Sequence, residues 1–187
     1  MFIQTEETPN PATLKFLPGR AVMAEGTREF VSQQDADGSP LAAALFRVDG
    51  VSGVFFGPDF ITITKDGGDW AHLKPALLGA ITDHYASGTP LFADGASTTA
   101  TGHAAYDGDD EDVVAQIKEL LDTRVRPAVA QDGGDILFHG FKDGVVYLHM
   151  RGACAGCPSS TMTLKMGIEN MLRHYVPEVE EVQPVEA

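Results

Sequence analysis

Residues 132–175 read DGGDILFHGFKDGVVYLHMRGACAGCPSSTMTLKMGIENMLRHY, and the order of signals along them decides the fold. Asp132-Gly133-Gly134-Asp135 predicts a turn, because glycine supplies a positive φ and aspartate bonds its own backbone. Ile136–Phe141 and Val145–Met150 are β-rich runs around Lys142-Asp143-Gly144, which is a hairpin signal. Arg151 to Cys157 reads as a loop. Pro158 then suits the first position of a helix. Leu164, Ile168, Met171, Leu172 and Tyr175 recur on that helix at the spacing of one buried face, until Pro177 stops it. A hairpin followed by a helix that covers it is the layering of an α+β domain.

Working outward, Val113, Ile117, Leu120, Leu121 and Val125 predict a helix before the hairpin, ended or kinked by Pro127. Asp109–Asp112 favour its N-terminus through the helix dipole. Val179–Val182 predicts a short last strand, so residues 108–187 read αββαβ. Residues 88–107 are small and acidic, and predict a flexible acidic linker because they bury too little apolar area to order themselves.

Residues 1–87 form a second α+β unit, ββαββα. Phe2 to Phe16 reads as one extended segment interrupted at Thr8-Pro9-Asn10-Pro11, and Arg28–Val31 as a second strand. Ser39-Pro40 opens a helix. Val51–Phe56 and Phe60–Thr64 form a hairpin, and Trp70–Ala86 a second helix.

The formal net charge is −14. That argues against nucleic acid, whose phosphates call for clustered Lys and Arg, and against an anionic membrane surface. No apolar run approaches the roughly 18 residues needed to span a bilayer. The start, MFIQTEETPN, lacks the basic and apolar regions of a secretory signal and is too acidic for a transit peptide. The expectation is a cytosolic protein, or an organellar matrix protein whose leader has been removed. Two cysteines make no disulfide scaffold, and in a reducing compartment a close pair points to metal or redox chemistry.

Cys154 and Cys157 are the candidate site. Two thiolates three residues apart reach one metal ion or one cluster, and Ala153, Ala155 and Gly156 leave room for an inorganic core. Cys157 at a helix start favours thiolate over thiol, with Ser159 and Ser160 as donors to sulfur. An iron–sulfur cluster takes four cysteines, so a two-fold dimer contributing one pair per subunit completes the set. The residues alone leave other readings open: a thioredoxin-like redox pair, a Cys₄ zinc site shared by two chains, or two inert buried thiols.

Gly152-Ala153-Cys154-Ala155-Gly156-Cys157-Pro158-Ser159-Ser160 resembles the C-terminal domain of NifU-like (Nfu-type) iron–sulfur carriers. Thr163-Leu164-Lys165, Gly167-Ile168-Glu169, Arg126-Pro127 and Asp132-Gly133-Gly134-Asp135 extend the resemblance. The N-terminal unit is similar to that family's N-terminal domain. It carries Phe2-Ile3-Gln4-Thr5, Thr8-Pro9-Asn10-Pro11, Leu14-Lys15-Phe16, Ser39-Pro40-Leu41-Ala42 and Val54-Phe55-Phe56-Gly57. The resemblance implies a non-enzymatic scaffold and a 4Fe–4S cluster shared between two subunits, with Cys154 and Cys157 as ligands in each. It also implies a homodimer in the cluster-bound form and delivery to apo iron–sulfur client proteins. The N-terminal domain would contact clients or cluster-assembly factors.

Other residues read as structural. Asp132 and Asp135 belong to a turn before they are paired carboxylates. His139 and His149 lie on the hairpin and are not counted as ligands, and His103 reads as solvated. Met162, Met166 and Met171 fill core or interface, and Trp70, Phe55 and Phe56 fill core. Without metal, the loop 152–157 is expected to be mobile, since nothing in it promises to pack.

Overall fold

A computed structural model describes residues 1–94, 102–106 and 108–185, with Ser160 described by its backbone alone. Contacts divide the chain into two units, Met1–Thr101 and Gly102–Ala187, each with its own hydrophobic core.

The first unit is a five-stranded antiparallel sheet with two helices. Its strands are β1 (Gln4–Glu7), β2 (Thr13–Leu17), β3 (Arg28–Phe30), β4 (Val51–Phe56) and β5 (Ile61–Lys65), in the order β1-β2-β5-β4-β3. The segment expected as one extended run is a hairpin instead, β1 against β2. The reason lies in Thr8-Pro9-Asn10-Pro11. Asn10 Oδ1 accepts from the Ala12 amide at 3.0 Å, and the Thr8 hydroxyl donates to the Thr13 carbonyl at 3.0 Å, so two short polar side chains fold the chain back. Ser39 caps α1 (Pro40–Phe46), its Oγ accepting from the Ala42 amide, and Asp69 caps α2 (Trp70–Ser87). Gly88, at φ 66°, ends α2 in the left-handed region. Leu41, Leu45, Leu73, Leu77 and Ile81 of the helices close onto Leu14, Phe16, Val54, Phe56, Ile61 and Ile63 of the sheet. Each such side chain contributes about 1.5–3 kcal/mol on full burial.

The second unit follows the expected order. A long helix comes first, as α3 (Glu111–Leu120), a π-helical turn (Leu121–Val125) and α4 (Arg126–Gln131). Pro127 neither ends nor breaks it. Its ring conflicts with the carbonyl four residues back, and a wider turn immediately before it relieves that conflict without stopping the chain. The buried stripe is Val114, Ile117, Leu121, Val125 and Val129, with Val113 and Leu120 only partly buried.

β6 (Gly134–Lys142) and β7 (Val145–Gly152) form an antiparallel hairpin turned through Asp143 and Gly144 at φ 50° and 76°. α5 (Pro158–Tyr175) crosses over to β8 (Glu181–Val185), which pairs parallel to β7. β8 is an edge strand, so Pro184 within it removes no ladder bond the sheet needs.

The segment read as a linker is anchored wherever it is described. The Ser39 hydroxyl donates to the Leu91 carbonyl at 2.7 Å, and the Ala93 amide donates to Gly38. Leu91 and Phe92 pack on the first core. At the other end the Ala104 amide donates to the Phe138 carbonyl at 2.8 Å, Lys118 Nζ donates to the Ala104 carbonyl, and Tyr106 stacks edge-on against Phe138. Residues 95–101 and 107 of that segment lie outside the described residues.

Candidate metal centre

The cysteine pair sits at the junction of β7 and α5. β7 runs two residues further than its apolar pattern indicates, through Arg151 and Gly152. Gly152 then turns the chain at φ 59° and Gly156 turns it again at φ 76°, backbone angles that side chains other than glycine's resist. Cys157 takes the N-cap position of α5, with extended φ and ψ, and Pro158 opens the helix. Its carbonyl accepts the first helical bond, from the Thr161 amide at 2.9 Å. The placement of Cys157 at a helix start is as expected.

The loop is not loose. The Cys154 amide donates to the Arg151 carbonyl, and the Ala155 amide to Gly152. The Ala153 amide donates to Gly133, which ties the loop to the turn before β6. Thr161 Oγ1 reaches back to the Cys154 carbonyl at 3.2 Å. Ala153 and Cys154 are 2% and 5% exposed. The expectation of a loop with nothing to pack was therefore wrong for these two residues, because small side chains fit where bulky ones would not.

The two sulfurs are not joined by a disulfide, and they have different surroundings. Cys154 belongs to the core of the second unit. Burial pushes its thiol up to about 12, and the negative charges of Asp132 and Asp135 add to that. Cys157 is partly exposed, with its Sγ 3.5 Å from the Ser159 hydroxyl. Gly134 explains how Cys154 fits: a Cβ there would lie 2.4 Å from the Cys154 sulfur and 2.9 Å from the Arg151 carbonyl.

A network that pattern reading missed joins the helix before the hairpin to β6. Asp135 is 3% exposed and accepts two bonds from Arg126, from Nε at 2.8 Å and from an Nη at 3.0 Å. The other Arg126 Nη donates to Asp122 at 2.8 Å. The hydrogen bond to Asp135 raises Arg126 far above its ordinary value. Burial alone would raise Asp122, but hydrogen bonds from Arg126 and His103 outweigh it and hold the carboxyl below its usual range. His103 was expected to be solvated. Its Nδ1 instead accepts from the Phe138 amide at 2.8 Å, which leaves the ring proton on Nε2 facing Asp122 at 2.9 Å. The Arg126 and Asp135 of the motif pair were visible in the sequence, whereas His103 gave no signal.

The remaining candidates fall elsewhere. His149 is held below its ordinary value by burial, then by the Arg151 and His139 charges. Met171 packs on the core, but Met162 and Met166 are 59% and 58% exposed and fill no core. Trp70 donates to the Pro11 carbonyl, while Phe55 and Phe56 are buried. Among the described residues no three His, Cys, Asp or Glu side chains gather closely enough to hold a metal ion.

Fold and junction together define a class: two-unit α+β chains that present a cysteine pair where a strand meets a helix. Family models match both units, "Scaffold protein Nfu/NifU N terminal" over residues 3–88 and "NifU-like domain" over residues 117–183. The human "NFU1 iron-sulfur cluster scaffold homolog, mitochondrial" is 54% identical over 187 residues, covering 99% of this chain and 72% of the human one. The "NifU-like protein 4, mitochondrial" of Arabidopsis thaliana is also 54% identical, over 98% of this chain and 65% of the plant one. A solution structure of a NifU-like protein from Saccharomyces cerevisiae aligns with a TM-score of 0.45 at 28% identity, over 50% of this chain and 85% of that one. The chain belongs to the Nfu/NifU-like family.

Proposed function

We propose that this chain is an iron–sulfur cluster scaffold that holds a 4Fe–4S cluster between two copies of itself and passes it to apo-proteins. Cys154 and Cys157 of each copy are the ligands, and the cluster is cargo. The observation that carries the reading is the pair of thiols at the β7–α5 junction, one at the helix N-cap and partly exposed. A cluster takes four sulfurs and one chain supplies two, so a second copy completes the set. The donors suit iron: once deprotonated they are soft thiolate ligands, in a loop of small residues beside backbone N–H groups at a helix start. Residues 108–187 are then the cluster-binding domain, and residues 1–87 contact clients or assembly factors. The names of the relatives place those proteins in mitochondria, in keeping with the organellar alternative of the sequence reading.

Anaerobic reconstitution tests this. Iron and acid-labile sulfide are each expected at about four per dimer, with the mass of a dimer in solution. Stoichiometric zinc without sulfide, or a loaded monomer with no added thiol, overturns it.

One observation favours a second reading. Parallel pairing of β7 with β8 across α5 puts the CxxC at the head of a βαβ unit, a setting also used by disulfide oxidoreductases. That reading requires the cluster-free monomer to reduce insulin catalytically, and no turnover eliminates it.

A further inference from the structure

The two cysteines differ in a way that assigns them an order. Cys157 stands at the N-cap of α5, partly exposed, with its Sγ 3.5 Å from the Ser159 hydroxyl. Cys154 is 5% exposed, and its sulfur occupies a niche that exists because residue 134 has no side chain. Three contacts hold that arrangement. The Cys154 amide bonds to Arg151, the Cys154 carbonyl accepts from Thr161 Oγ1, and the neighbouring Ala153 amide bonds to Gly133.

We propose that Cys157 is the sulfur through which a cluster enters and leaves, while Cys154 is kept in a niche opened by Gly134 and engages only after its turn swings outward. This rests on the scaffold reading and gives separate tasks to its two ligands. The Cys157 thiol gives its proton to water, and its sulfur replaces one thiol ligand on an iron of the incoming cluster. The displaced ligand leaves as a thiol after taking up a proton, and no electron is transferred. Cys154 repeats the exchange once the niche opens. Release starts at the same exposed sulfur: a client thiol gives up its proton and displaces Cys157 from iron while Cys154 still holds the cluster, and Cys157 takes up a proton as it leaves. Gly134 is a positioning residue: a Cβ there would lie 2.4 Å from the Cys154 sulfur, so its missing side chain sets how deeply Cys154 is stored.

Iodoacetamide labelling of the full reduced chain, followed by peptide mass spectrometry, tests the order without any cluster. Cys157 is expected to label at least about tenfold faster than Cys154, the handicap of a local opening step, and in denaturant the two rates converge. Equal native rates, or Cys154 ahead, overturn the proposal. Gly134→Ala should raise the Cys154 rate toward that of Cys157 and leave the Cys157 rate unchanged. Thr161→Val does the same more weakly, and covers the case in which Gly134→Ala fails to fold. An unchanged Cys154 rate in a folded Gly134→Ala protein also overturns the proposal.

The second arm starts from reconstituted protein and removes its iron with a chelator while iodoacetamide is present. Label should appear first at Cys157, and the reverse order rejects the assignment. Failure of the chain to take up iron and sulfide at all counts against the scaffold reading, and is distinguishable because the first arm stands without cluster.

Discussion

Asp135 shows how one side chain ties α4 to the start of β6. Its carboxylate is buried, takes two bonds from Arg126 and accepts from its neighbour Ile136 at 2.9 Å. Asp135→Asn keeps the shape and removes the charge, leaving Arg126 with the more exposed Asp122 alone. Breaking a fully buried pair costs about 3–5 kcal/mol, and partial exposure of Arg126 brings the expected loss to about 2 kcal/mol, read from urea unfolding. Arg126→Lys should lose nearly as much, because an ammonium cannot grip both carboxylate oxygens. Full stability in either variant contradicts the geometry. A different residue bears on acid sensitivity. His84, on α2, is buried against Tyr85, and burial holds it below its ordinary value. Its neutral form is the one the fold accepts, so its contribution is complete above about pH 6.5 and is lost as pH falls below that. The urea midpoint of the wild type should therefore drop more between pH 7.5 and pH 5.5 than that of His84→Gln. Parallel drops in the two proteins would clear His84 of this role.

At the scale of elements, what was legible follows from what periodicity encodes. Ser39-Pro40, Lys142-Asp143-Gly144 and Pro158 are local signals, satisfied within a few residues, and each marks the boundary or turn where it was read. The cysteine junction was legible for the same reason. The π-turn at Leu121–Val125 was not, because it answers a clash between Pro127 and the preceding turn rather than any hydrophobic pattern. Nor was the strap formed by residues 102–106, since its bonds to Phe138 and Lys118 connect residues far apart in sequence. Composition identified that stretch as linker, yet a few contacts suffice to dock it on β6. The strap has a consequence for stability. Tyr106 is partly buried against Phe138 with ring centroids 6.3 Å apart, so Tyr106→Ala should cost about 1–2 kcal/mol in the second unit. Hydrogen exchange at the Ala104 amide, which donates to Phe138, should rise with it. An unchanged exchange rate there means the strap is held by its hydrogen bonds alone.

For the whole molecule the decisive quantity is charge. The chain carries a formal −14, and the second unit contributes more than half of it: residues 102–187 hold seven Lys and Arg against fifteen Asp and Glu. In the dimer proposed above, two such units around one cluster would set like charge against like, and a 4Fe–4S core with four thiolates would add negative charge of its own. What opposes this repulsion is iron–sulfur bonding, which salt hardly affects, so the two contributions separate experimentally. Like-charge repulsion between exposed groups is screened over about 10 Å at 0.1 M salt and about 3 Å at 1 M. The cluster-loaded dimer should therefore dissociate several-fold less readily in about 0.5 M potassium chloride than in about 0.02 M, by anaerobic sedimentation at fixed iron and sulfide content. An association joined mainly by opposite charges would weaken over the same range. A dimer that weakens with salt would mean that the acidic surfaces do not face each other, and that oppositely charged patches join the two copies around the cluster.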